Sequence, residues 1–352
     1  MASFVYNPKM IQLARESRGL TQIELCRLMN VAQGTVSKLE NEDIYFSDEY
    51  AFKLSEILNY PLSFFSQKDD IYPISMIYYR KKAKIPGKIQ SKFEATINIL
   101  RINIERLLKR VELVEPNLIN WDVEKNGSPE HAAMYLREVW KVPKGRIENL
   151  TELIEDNGIF VIQVDFGTEA IDGVSLFTSK GQPVIFVNSG FSADRQRLTV
   201  AHELGHLILH FTKLPDNFRD LEKEAFRFAN EFLFPEIEFR RSFAKLNLKV
   251  LANMKRYWKV SMASMIMRAH NLEMLTSNEE KYLWQQMVPF RTREPEELDF
   301  PKEQPTLLKE VIEIHKNEFN FTNEDLSILL SLSSDDYRTY YEFEGRKLFR
   351  VA

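Results

Sequence analysis

The stretch from Asp194 to His210 reads DRQRLTVAHELGHLILH, and its reading sets the architecture. Its pattern is helical over about Arg195 to His210. Three short β-rich runs precede it, Ile159 to Val164, Gly173 to Phe177 and Val184 to Val187, bounded by Gly, Asp and Pro. A second helix is predicted from about Asp220 to Phe234, where Pro235 stops it, and further helical segments run through Met287. Strands gathered in one place and followed by helices predict an α+β order with a small sheet. The regular alternation of a doubly wound sheet is excluded.

Outward from this centre, the 352 residues suit two or three domains. Apolar residues at helical spacing before Phe65 predict four or five short helices. Further helices are expected over Phe93 to Val114 and Ser128 to Trp140, with a boundary at Val142-Pro143-Lys144-Gly145. After Glu294-Pro295, a Pro- and acid-rich stretch to Pro305 reads as a linker to a short helical tail. The expected division is 1–66, an all-α module; 67–145, a basic helical linker; 146–295, the α+β unit; and 296–352, the tail. A composition of 44% hydrophobic and 28% charged residues excludes collagenous and wholly disordered classes. No apolar run approaches the ~20 residues of a membrane span, and Met1 to Met10 lacks the apolar core of a secretory signal, so a cytoplasmic protein with no membrane partner is expected. The single cysteine, Cys26, excludes a disulfide framework and a Cys-rich zinc ribbon, and reads as a small core residue. A metal would have to lean on His and carboxylates.

The net charge of −4 gives no overall sign of a nucleic-acid binder, but the charge is unevenly placed. Ten basic residues between Arg80 and Arg110 meet only Glu94 and Glu105, a local charge of +8 that reads either as the solvated face of a linker helix or as a phosphate-tracking patch. Just before it, Thr21 is placed to cap a helix through Met29, Asn30-Val31-Ala32 makes a turn, and Gln33 to Asn41 forms a second helix. Leu20-Thr21-Gln22-Ile23-Glu24-Leu25 followed by Gly34-Thr35-Val36-Ser37-Lys38-Leu39-Glu40 resembles the XRE-type, lambda-repressor-like helix-turn-helix family over about residues 5 to 66. The resemblance implies that Gln22, Gln33, Thr35, Ser37 and Lys38 meet phosphates and base edges of DNA. This module alone carries a charge of −2, so its own DNA binding should be weak. Arg15 and Glu40 read as a scaffold pair.

Within the central stretch, His202-Glu203-Leu204-Gly205-His206 sets two histidines four residues apart. Such residues share a helix face, so both imidazoles can reach one Zn²⁺ while Glu203 stands beside it as a general base. His210 continues the spacing, but lies ~12 Å along the axis from His202, too far to share the ion. It reads as a polar edge residue or as a hydrogen-bonding neighbour of a ligand. His131, His270 and His315 have no ligand-like spacing. The helix beginning near Asp220 offers Glu222, Glu224 and Glu231 as third ligands.

The run Asp194 to Ala201, the motif, Leu207-Ile208-Leu209-His210, and Glu222-x-x-Ala225…Phe228-Ala229…Leu233-x-Pro235 together resemble the ImmA/IrrE family of zinc-dependent peptidases, over about Glu148 to Pro295. The resemblance assigns His202, His206 and Glu222 to zinc and Glu203 to the general-base role. The helix wheel agrees, placing Glu222 roughly 50° from the buried face's centre and Glu224 roughly 110° away; Glu224 and Glu231 then read as solvated acids. One position departs: Phe226 stands where members usually carry Asn or Asp to orient a ligand histidine. The function implied is a DNA-binding zinc metallopeptidase, possible as a homodimer. Its expected substrate is a helix-turn-helix repressor or antitoxin in stress or mobile-element regulation. The alternative is a transcriptional regulator or toxin-antitoxin component whose zinc is structural or sensory.

Overall fold

The computed structural model describes residues 5–73, 85–211, 219–243, 245–290 and 293–342. Four short helices come first: α1 (Lys9–Ser17), α2 (Gln22–Leu28), α3 (Thr35–Glu40) and α4 (Asp48–Leu58). The long α5 (Gly87–Leu107) follows, then α6 (Val123–Asn126), α7 (Pro129–Val139) and α8 (Leu150–Asp156). Strands β1 (Phe160–Val164), β2 (Gly173–Phe177) and β3 (Pro183–Asn188) lead into α9 (Ala193–Leu209) and α10 (Leu221–Leu233). The remainder is helical: α11 (Glu236–Arg241), α12 (Leu248–Trp258), α13 (Met262–Asn271), α14 (Ser277–Met287), α15 (Leu307–Asn317), α16 (Asn323–Leu330) and α17 (Ser334–Tyr341). The α+β order read from the sequence holds. Among the described residues, no helix is long and apolar enough to cross a membrane.

The sheet is mixed, in the order β1-β3-β2, with β1 parallel and β2 antiparallel to β3. Successive side chains of a strand point to opposite faces, and here both faces are covered. Phe160, Ile162, Val174, Leu176, Val184 and Phe186 join one core with α1 to α5 and α15 to α17. Val161, Ile185 and Val187 join the other, with α7 to α10 and α12 to α14. The strands therefore read as near-continuous apolar runs.

Local chemistry explains the helix-turn-helix segment. Thr21 caps α2 in a reciprocal box with Glu24, as the sequence predicts, and Gly34 enters α3 with φ of 91°, a conformation other residues avoid. Arg15 donates to Glu40 through Nε at 2.6 Å, the expected scaffold pair, and Cys26 is buried.

Several expectations are corrected. Helix α5 starts six residues before Phe93 and ends at Leu107, because Gly87 follows Pro86, which opens the helix, and the chain turns out after Leu108. Of the +8 stretch, Arg80, Lys81, Lys82 and Lys84 lie outside the described residues, and the described part is not one phosphate-facing surface. Arg101 is buried and paired with Glu105, Arg106 is paired with Asp69, and Lys88 binds Glu24 of α2 at 2.9 Å. These charges tie the linker helix to its neighbours. The stretch read as a linker before Pro305 is likewise pinned: Glu303 accepts from the backbone N–H groups of Leu150 and Thr151 at the start of α8 and from Arg197. At the tail, Arg18 forks onto Asp336 at 2.5 and 2.8 Å, joining α1 to α17.

Candidate metal centre

Two helices and one strand build the site. Helix α9 carries His202, Glu203 and His206 on its buried side. Between the two histidines stands Gly205, and a Cβ there would stand 3.2 Å from the Ala225 carbonyl oxygen and 3.3 Å from the Ala225 Cα. The missing side chain lets α10 approach α9 backbone to backbone, which carries Glu222, in the first turn of α10, up to the histidines. Gly173 does the same for β2, where a Cβ would stand 2.6 Å from Thr199 Cγ2 and 3.3 Å from Glu203 Cγ.

The resulting geometry is compact. The His202 and His206 Nε2 atoms lie 3.1 Å apart, and the Glu222 oxygens lie 3.4 Å from each of them. Among the described residues, these three form the group of ligand atoms able to hold a metal ion, all within 4.8 Å of one another. A tetrahedral ion with bonds of about 2.0–2.1 Å has ligand atoms about 3.3 Å apart, so the spacing fits. Two imidazole lone pairs and a carboxylate facing one another also repel unless a cation lies among them. The protonation states agree. Burial lowers His206 to about 4, leaving the neutral imidazole that a metal ligand must be.

Glu203 is 3% exposed, and its Oε2 accepts from the Ser175 hydroxyl on β2 at 2.8 Å. Burial pushes its carboxyl up to about 8, against the pull of that hydrogen bond. A cation held by the neighbouring ligands would draw it back down. A cavity of about 150 Å³ opens beside it, lined by Gly173, Leu198, Thr199, His202 and Phe226, with Arg195 paired to Asp172 at 2.7 Å. Sequence reasoning missed Ser175, Gly173 and Gly205. A glycine in mid-helix between two candidate ligands is the signal that could have found the last.

The structure decides one reading around this centre and corrects two. Of the two roles read for His210, it is the hydrogen-bonding neighbour of a candidate ligand and not an edge residue: it is 2% exposed, with its Nδ1 2.9 Å from His206 Nδ1. Glu224 is not a solvated acid but accepts from His210 Nε2 at 3.0 Å and from Arg219 at 2.5 and 3.0 Å. Glu231 is also buried, bonded to Arg268 and to the backbone N–H of Glu236. A wheel with one buried face failed because α10 packs against α7 and α9 on different sides and meets α13 through Arg268. Phe226 lies with its ring centroid 4.2 Å from that of His202, whose Nδ1 is buried without a hydrogen-bond partner. Of the other histidines, His270 pairs with Glu280 at 2.8 Å and His315 is buried against Val311.

The segment holding all these groups decides the comparison with known proteins: residues 154–270 match the Peptidase M78 family, described as an IrrE N-terminal-like domain. The chain carries an M78 peptidase domain. Residues 11–65 match a helix-turn-helix family, which implies DNA binding. No curated protein matches the chain. With two histidines and a carboxylate beside a buried Glu, the M78 domain has the donor set of a metallopeptidase.

In the helix-turn-helix domain, Gln33 and Lys38 are exposed and Thr35 and Ser37 half-buried, all on or just before α3. Gln22 is half-buried and donates its amide to Glu40 at 2.6 Å.

Proposed function

We propose that this chain is a DNA-binding zinc metallopeptidase that cuts a protein, by the family resemblance a helix-turn-helix repressor or antitoxin. The reading is carried by the tetrahedral-edge spacing of His202, His206 and Glu222 next to a buried, hydroxyl-held Glu203. Zinc fits because two neutral imidazoles and one carboxylate leave an open position, and there the ion would supply Lewis acidity to a peptide carbonyl and to water. Glu203 takes a proton from the attacking water and returns it to the leaving nitrogen. Ser175 fixes the rotamer of Glu203, and Gly173 keeps β2 close enough for it to do so. The cavity lined by Leu198, Thr199 and Phe226 receives a substrate side chain. Gln33, Thr35, Ser37 and Lys38 face DNA from α3, with Gln22 bracing that helix through Glu40.

The test uses the full chain with the products of adjacent genes. Wild type should cleave one of them, and Glu203→Gln should bind it uncut. A zinc-loaded wild type that cleaves none would leave the second reading, a transcriptional regulator or toxin-antitoxin component with a sensory or structural metal. The unpartnered Nδ1 of His202 favours that alternative, because an unsupported ligand holds its ion less firmly.

A further inference from the structure

We propose that His210 and Glu224 are positioning residues for the metal ligand His206, acting as a relay in which one imidazole passes the orientation of a carboxylate to another. The inference rests on the metal centre proposed above. It starts from the tautomers. His206 offers Nε2 to the ligand group, so its single proton sits on Nδ1 and is donated to His210 Nδ1 at 2.9 Å. That contact obliges His210 to accept at Nδ1 and to carry its own proton on Nε2, which it donates to Glu224 Oε2 at 3.0 Å. The chain closes on Arg219, whose Nε and Nη2 donate to the two Glu224 oxygens. Every proton in the row has one consistent placement, ending on a carboxylate held as an anion by a guanidinium. With the His206 tautomer reversed, His210 could keep its bond to His206 or its bond to Glu224, but not both.

His210 cannot itself be a ligand, because its Nδ1 addresses the His206 nitrogen that points away from the metal group. The arrangement also explains an asymmetry. His202 stands against the Phe226 ring with its Nδ1 buried and unpartnered, so orientation from behind the ligands reaches the centre through His206. A carboxylate hydrogen-bonded to a ligand imidazole raises the ligand's basicity and fixes its ring; here an interposed histidine extends that reach across the gap from α9 to α10.

The experiment measures Zn²⁺ affinity of the full chain by competition with a chromophoric chelator, and the zinc-loaded protein by NMR with ¹⁵N-labelled histidine. His210→Phe keeps the buried ring but removes both hydrogen bonds, and should lower affinity about ten- to a hundred-fold. Glu224→Ala should fall in the same range, the isosteric Glu224→Gln should lose less, and the double variant should be no worse than His210→Phe alone, because the bonds act in series. The downfield Nδ1 proton of His206 should disappear in His210→Phe, a change that packing alone would not cause. Folded variants with wild-type affinity and an unchanged His206 resonance would overturn the relay. A wild-type chain that takes up no zinc would instead overturn the metal centre, and the relay with it.

Discussion

Gly205→Ala probes whether the closeness of two helices holds the metal ligands together. A Cβ at this position meets Phe228 Cδ1 at 3.0 Å, the Ala225 carbonyl oxygen at 3.2 Å and the Ala225 Cα at 3.3 Å. The phenyl edge can yield, but the two backbone atoms can retreat only if α10 moves, by a few tenths of an ångström. Overpacking of this kind costs about 1–3 kcal/mol, while exchanging a mid-helix Gly for Ala returns about 1 kcal/mol of backbone entropy. Net destabilisation should therefore be no more than about 2 kcal/mol, and the fold should survive. The metal centre should suffer more, because the ligand sets ride on opposite sides of the widened gap: His202 and His206 on α9, Glu222 on α10. Sites of this kind must be held within about 0.5 Å of their productive geometry, and a shift of a few tenths of an ångström uses most of that margin, so we expect zinc affinity to fall by up to about tenfold. Chelator competition and thermal melting, run on the same samples, give the two numbers. A variant that melts higher than wild type and binds zinc equally well would refute the reasoning.

Three further outcomes are expected. Glu222→Ala should lose zinc by mass spectrometry, whereas Glu203→Gln should retain it and lose cleavage, separating a ligand from a proton carrier. Burial raises Glu155 to about 7, so the folded protein holds a proton there that the unfolded chain releases near pH 4.5; stability should fall by about 3 kcal/mol as pH rises through 7, and Glu155→Gln should flatten that slope in urea titrations from pH 4 to 8. Lys38→Ala should weaken DNA binding across sequences and reduce the slope of log affinity against log salt by about 1, with zinc content unchanged.

The α+β order, all three strands and two of the three candidate metal ligands were legible because each rests on local pattern: alternation or apolar runs for β1 to β3, and four-residue spacing for His202 and His206. Glu222 was legible from the family resemblance, not from the helix wheel, whose order the fold reverses: its side chain is 34% exposed and that of Glu224 14%. Glu224 and Glu231 were misread because a wheel assumes one partner and α10 has several. A charge count cannot see pairing, and within the +8 stretch Arg101 and Arg106 find their acids in the fold. Ser175 carried no signal at all. Its contact with Glu203 depends on the register of β2 against β3 and on the closeness that Gly173 permits.

The long helix α5 has a consequence for how this protein can be taken apart. It is bound near one end to α2 through Lys88 and Glu24, and near the other, through Glu105, to Ser179 in the turn that follows β2. Along its length it packs on α1, and its apolar side shares a core with the helix-turn-helix segment and one face of the sheet. A gene could be cut cleanly between residues 65 and 154, where the two matched families stop and start. The polypeptide could not: either fragment would expose apolar surface that the other now covers, and would be prone to aggregate. The two family matches stand apart along the sequence, whereas the folded molecule joins them through one core.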